Sequence, residues 1–259
     1  MKSKLILFLF FSMNLFSQNI GNDAFYIHTE NLIKILETAG NTLSHQDKNT
    51  ILKLIESKGG NKQIEAILDK HVLFDAKISS KGELKLKPGI AKPELIQSGW
   101  KYFLVKVNNI ARITDNITIE SQEAQRVYDG GEKIYGMDVD GKGSIITDED
   151  IKKRWLDFGL FSGNLTHSIT PEVKTTYFIV QLYSRDAEEH YAQFTFNSEN
   201  LNQKAELKMK FNCLSSKLVT LEILDDDLTP TTASLTIKDT QGNIYPSPTK
   251  RLAPDLFFE

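Results

Sequence analysis

The sequence has a single cysteine, Cys213, among 259 residues, so it cannot form a disulfide within the chain. It lacks a charge excess: 31 Lys and Arg stand against 34 Asp and Glu, for a formal net charge of -3. No basic surplus points to nucleic acid or to an anionic membrane surface. There are five histidines, at 28, 45, 71, 167 and 190, and no two have the H-x-H or H-E-x-x-H spacing of a zinc site. A G-x-S-x-G elbow and a phosphate-binding loop are both missing. Beyond residue 17 no apolar run is long enough for a membrane helix.

The first seventeen residues do contain an apolar run. Lys2 and Lys4 precede Leu5–Phe11, and Ser12, Asn14 and Ser17 follow. This is the pattern of a secretory signal peptide cleaved after Ser17, which predicts a secreted or periplasmic protein. An uncleaved anchor is the other reading of the same residues. An exported chain with one cysteine must be held together by its core, and "AELKMKFNCL" puts Cys213 on the apolar side of an alternating strand as a buried, inert thiol.

Residues 18–70 carry helical periodicity. Ile27, Leu32, Ile35 and Leu36 predict a first helix ended by Gly40. Ser44 and Asp47 resemble a capping box before Ile51, Leu52, Leu54 and Ile55, and Gly59–Gly60 stop that helix. Ile64, Ile67 and Leu68 mark a third. Such helices form a small bundle or cover a sheet. From Val72 the period becomes two. "VLFDAKISSKGELKLKPG" predicts a hairpin turning near Lys81–Gly82, and "WKYFLVKVNN", "NITIES", "TTYFIVQLYS", "HYAQFTFN" and "AELKMKFN" follow. One helix is expected within this region, at about 148–157. The fold class is therefore mainly β with a small N-terminal α-helical segment: an Ig-like β-sandwich over 71–215, then a partial β-unit over 216–259.

"DVDGKGSIITDE" (138–149) has the frame of a twelve-residue calcium loop. Asp138 stands at position 1, Asp140 at 3, Ser144 at 7 and Glu149 at 12, with Gly143 at the turn. Calcium needs six to eight oxygens, but Lys142 at position 5 supplies none. The same residues also describe a turn followed by a helix capped by Thr147. "RDAEEH" (185–190) groups Asp186, Glu189 and His190 between two predicted strands, where a solvated hairpin loop explains them. "DDD" (225–227) reads as a turn before Pro230. Trp100, Tyr102 and Trp155 could stack on sugar rings or fill the core. No residue is read as catalytic or as binding an organic cofactor.

Several stretches resemble secreted multidomain metallohydrolases of the CehA/McbA type: "GWKYFLVKVNN" (99–109), "KRWLDF" (153–158), "VQLYSRDA" (180–187), "VTLEILDDDLTPTTASLTIKDTQGNIYP" (219–246) and "KRLAPD" (250–255). The resemblance implies a β-rich N-terminal region leading through a carboxypeptidase-regulatory-like unit to a PHP-type hydrolase domain. No motif of that hydrolase domain matches a position here, so no catalytic residue is carried over. On this view the unit begun at 216 is interrupted at "DLFFE", and the chain is a non-catalytic accessory module. A natural short form that pairs its last strand with its own sandwich is the other expectation. It would be a stand-alone module binding carbohydrate or a cell surface, with a structural calcium. The resembled turn has Gly before Thr-Pro, whereas Leu228 stands there in this chain, and leucine disfavours a left-handed backbone.

Overall fold

The computed structural model describes residues 22–40, 43–124, 153–160 and 168–238. The signal-peptide segment, the 138–149 loop and His167 lie outside them. Three helices come first: α1 over 22–38, α2 (His45–Glu56) and α3 (Asn61–Asp69). Ten strands follow. They are β1 (Val72–Ile78), β2 (Leu84–Pro88), β3 (Glu94–Ile96), β4 (Trp100–Asn109), β5 (Asp115–Ser121), β6 (Leu156–Leu160), β7 (Ser168–Ile169), β8 (Thr175–Ser184), β9 (Glu188–Ser198) and β10 (Gln203–Leu214). They form two five-stranded sheets, β2-β1-β4-β8-β6 and β3-β10-β9-β5-β7. The expected mainly β sandwich with a small N-terminal helical segment is what the structure shows. Two pairings, β1 with β4 and β3 with β10, are parallel, and the other named pairings are antiparallel.

The space between the sheets is filled by one parity of each strand. Phe103, Val105 and Val107 from β4 and Phe178, Val180 and Leu182 from β8 meet Ala192, Phe194 and Phe196 from β9 and Met209, Phe211 and Cys213 from β10. Phe74 sits edge-on to Phe194 and Phe196, with centroids at 4.6 and 5.4 Å. Such pairs add to simple area burial.

The opposite parity is buried too. Tyr102 and Leu104 of β4 and Tyr177 and Ile179 of β8 join Leu32, Leu36, Ile51, Ile55, Ile64 and Leu68 in a second core under the helices. The helices are therefore the cover of a sheet, and β4 and β8 are two-sided central strands. A register shift between Val72 and Phe74 lets Val72 serve the helical core while Phe74 faces the other sheet.

Local chemistry sets the boundaries. Ser44 Oγ accepts from the Asp47 N–H at 3.1 Å, half of the expected capping box. Gly60, at φ 75°, turns the chain from α2 into α3 in a left-handed conformation that glycine adopts without strain. Gly82, at φ 81°, makes the β1–β2 turn where the sequence put it.

Three expectations need correction. Ile27 is 61% exposed, because α1 is rotated so that Phe25, Tyr26, Thr29, Leu32, Ile33 and Leu36 face inward. Leu52 likewise sits on the outer side of α2, whose inward positions are Ile51 and Ile55. The helix expected to reach 157 does not: Lys153 is helical, but β6 begins at Leu156, drawn into pairing with β8 through Leu156–Ser184 and Phe158–Leu182.

Beyond Leu214 the chain leaves the sandwich. Every described residue from Leu214 to Lys238 is exposed except Ile223. The "DDD" turn forms: Asp225 N–H donates to Thr229 O at 2.8 Å, and Asp227 Oδ1 accepts from Thr229 N–H at 2.9 Å. Leu228 takes φ 64°, so the turn is left-handed there without the glycine that would ease it. An isolated bridge, Leu224–Pro230, is the β pairing beside this turn among the described residues of the expected partial β-unit. Among the described residues no sheet faces this segment, so strand formation there would bury nothing.

Candidate functional site

Several of the described residues that could do chemistry are used to build the fold. His28 on α1 places Nε2 at 2.8 Å from Tyr177 O and 3.1 Å from Tyr177 N. β6 pairs with β8 only from Val180 onward, so His28 covers the strand edge that β6 does not reach. The ring nitrogen either donates to the carbonyl or accepts from the amide, according to tautomer. Burial lowers its pKa, against the opposing pull of the Tyr177 backbone, so the ring is held neutral.

Between α3 and the first sheet lies an ionic cluster. Lys106 Nζ contacts Asp69 Oδ1 and Oδ2 at 2.9 and 2.8 Å and Glu65 Oε2 at 3.3 Å. Tyr177 O–H donates to Asp69 Oδ1 at 2.8 Å. Burial pulls the Lys106 pKa down, but hydrogen bonds and charge from Asp69 and Glu65 outweigh it and leave the group raised. The Tyr177 phenol is raised by burial and then by the Asp69 charge. A lysine and a tyrosine that both hold their protons more tightly than usual are poor bases and nucleophiles near neutral pH. This arrangement pins a helix to a sheet.

The other sequence candidates are also placed. Asp186, Glu189 and His190 do not converge. His190 stacks on Trp155 at 4.7 Å and an interplanar angle of 18°, and Glu189 pairs with Lys210 at 2.6 Å. Arg185 clasps Asp157 instead. Cys213 is buried on the apolar face of β10, as expected, and burial raises its thiol pKa. Among the described residues no three His, Cys, Asp or Glu side chains are grouped to hold a metal ion. The calcium-loop residues Asp138, Asp140, Ser144 and Glu149 lie outside the described residues. An open hollow of about 570 Å³ at the α2–α3 turn is lined by Asn22, Tyr26, Lys58 and Gly59–Gln63.

Of the three aromatics proposed to meet sugars, Tyr102 and Trp155 are buried, and Trp155 donates its indole N–H to Tyr191 O at 3.4 Å. Trp100 is different. It is half-buried, belongs to neither core, and leans on Tyr183 at 5.2 Å with the ring planes 47° apart. Strand register makes this pair: Trp100 of β4 is directly opposite Tyr183 of β8, and Tyr183 is opposite Asp157 of β6. The next row holds Tyr102 and Gln181. This face is the outer side of the first sheet, just past the rows that the helices cover. Sequence reasoning missed Tyr183 and Gln181, because only the antiparallel register of two distant strands brings them to Trp100.

No family model and no curated protein matches the chain. Among solved structures, the chain is similar to a surface layer protein, SbsC, in a structure of its domains 1–6, at 11% identity and a TM-score of 0.26. The match takes in 59% of this chain and 15% of that one. A superposition this loose establishes neither fold nor function.

Proposed function

We propose that this chain is an exported, non-catalytic β-sandwich module, the N-terminal accessory part of a metal-dependent hydrolase of the CehA/McbA type. The observation that carries the non-catalytic reading is the commitment of several described reactive groups to structure. His28 covers a strand edge, Lys106 and Tyr177 are tied to Asp69, His190 is stacked on Trp155, and Cys213 is inside the sandwich. Export rests on Lys2, Lys4 and the Leu5–Phe11 run. The test is a panel of esters and phosphodiesters offered to the purified full chain with zinc or manganese. No turnover is expected. Metal-dependent turnover abolished by His28→Ala or His190→Ala would overturn the reading. Export is checked separately by N-terminal sequencing of extracytoplasmic material, which should begin at Gln18.

One observation favours a second reading, a stand-alone module that binds carbohydrate or a cell surface: the partly exposed Trp100–Tyr183 pair on the outer sheet face. A structural calcium at 138–149 belongs with that reading.

A further inference from the structure

We propose that Trp100, Tyr183 and Gln181 form a platform for a neutral pyranose unit of a polysaccharide, an inference that rests on the chain being a binding module rather than an enzyme. The two rings meet at 47°, so they form a shallow V rather than a flat stack. Each offers a face to the C–H side of a sugar ring, and both are left out of the cores on either side of the sheet. A sugar also needs hydrogen-bonding partners around its rim, and these are present. Among the described residues the Trp100 indole N–H, the Tyr183 hydroxyl and the Gln181 amide make no hydrogen bond, so all three are available to a ligand. Together they supply donors at all three residues and acceptors at Tyr183 and Gln181, which suits hydroxyl groups that both give and take.

Charge narrows the ligand further. The carboxylate in the Trp100–Tyr183 row, Asp157, is already held by Arg185, and that guanidinium also donates to Arg154 O. Neither charge is left over for a ligand ion. Among the described residues an anionic polysaccharide would find no free cation in this row, and a wholly apolar partner would strand three polar groups at the contact. A neutral sugar satisfies both conditions.

Tryptophan emission makes the site readable. The protein has two tryptophans, and Trp155 is only 2% exposed, so a ligand on the platform reports through Trp100. The probes are cellohexaose and chitohexaose, with polygalacturonate as the anionic control, titrated into the full chain by fluorescence and calorimetry. At least one neutral hexasaccharide should give a saturable signal in the millimolar range or below and protect tryptophan from acrylamide. Trp155→Phe should keep the fluorescence response. Trp100→Ala and Tyr183→Ala should each weaken binding about tenfold or more, the scale of losing a well-packed interface contact. Gln181→Ala, a change at a partly exposed position, should weaken binding while leaving the circular dichroism and melting of the wild type. The platform is overturned if neither hexasaccharide binds. It is equally overturned if binding survives Gln181→Ala and Tyr183→Ala unchanged, or if polygalacturonate binds more tightly. Metal-dependent turnover would remove the non-catalytic reading without touching this titration, so the two failures are distinguishable.

Discussion

Replacing Lys106 with methionine tests whether the ionic cluster under α3 holds the helical layer to the sheet. Lys106 is 8% exposed and serves two carboxylates, Asp69 at 2.8 Å and Glu65 at 3.3 Å. Methionine keeps most of the aliphatic volume but leaves both acids without a cation. Breaking a fully buried pair from one side costs about 3–5 kcal/mol. The Asp69 and Glu65 side chains keep 24% and 29% of their exposure, so water recovers part of that, and about 2 kcal/mol is expected. Asp69→Leu alone should cost a similar amount, since it strands the Tyr177 hydroxyl as well as part of the Lys106 charge. The double variant Lys106→Met/Asp69→Leu should be less destabilised than the sum of the singles by about 1–3 kcal/mol, because Lys106 and Asp69 leave as a pair and only Glu65 stays without its cation. The assay is urea unfolding at neutral pH, with the midpoint read at constant slope. High salt should rescue little, since the cluster is shielded from counterions. A Lys106→Met loss under about 0.5 kcal/mol, or strict additivity in the double variant, would refute the anchoring role.

Acid should loosen the contact between α1 and β8. The folded His28 pKa is depressed by burial, so the unfolded chain binds the extra proton, and the stabilisation is present above about pH 6.5 and lost as pH falls through the lower folded value. The advantage of wild type over His28→Gln in urea midpoint should therefore shrink from pH 7 to pH 5, and a constant gap would contradict this. Calcium bound at Asp138, Asp140, Ser144 and Glu149 should raise the melting temperature by several degrees, since saturation at about 100 times the dissociation constant stabilises by ~2.7 kcal/mol. Asp138→Ala should remove that shift, and identical melting in calcium and chelator would leave the turn-and-cap reading of 138–149. Removing residues 216–259 should change the unfolding free energy of the sandwich, read from the urea midpoint and slope, by less than about 0.5 kcal/mol. The described residues past Leu214 are exposed apart from Ile223, and Ser216 reaches Gln97 only at 3.4–3.5 Å. Limited proteolysis should cut between Leu214 and Leu224 first, and loss of the folded core on deletion would show that the segment completes the sandwich.

The strands of the sandwich were readable because period-two alternation is a local signal. Leu207, Met209, Phe211 and Cys213 could be assigned to one face from the sequence, and the last three are buried there. The same signal understated β4 and β8. Phe103, Val105 and Val107 were visible as an apolar row, but Tyr102 and Leu104 on the other parity are buried as well, under helices whose docking no strand pattern encodes. In α1 the apolar residues are dense enough to support two faces. Ile27 and Leu32 look alike on a wheel until the sheet selects one face. Tertiary packing then chooses Phe25, Thr29 and Leu32, with Thr29 satisfying its hydroxyl on the Phe25 carbonyl at 2.8 Å.

The site was half legible for the same physical reason. Residue type marked Trp100, Tyr102 and Trp155 equally, since large amphipathic rings suit both cores and ligands. What separates them is the layer each side chain meets. Trp155 precedes β6 and is enclosed by His190 and Phe211, and Tyr102 lies one row nearer the helices. Trp100 begins β4, where neither core reaches, and its partner Tyr183 sits 83 positions along the chain at the end of β8. That meeting depends on register. A one-residue slip between β4 and β8 would turn Tyr183 into the sandwich and put Leu182 or Ser184 beside Trp100. The register is fixed elsewhere, by the two buried parities of β8: Phe178, Val180 and Leu182 must enter one core while Tyr177 and Ile179 enter the other. The aromatic pair thus comes from packing constraints several residues away, so changes at Ile179 or Val180 should disturb the Trp100 environment without touching it.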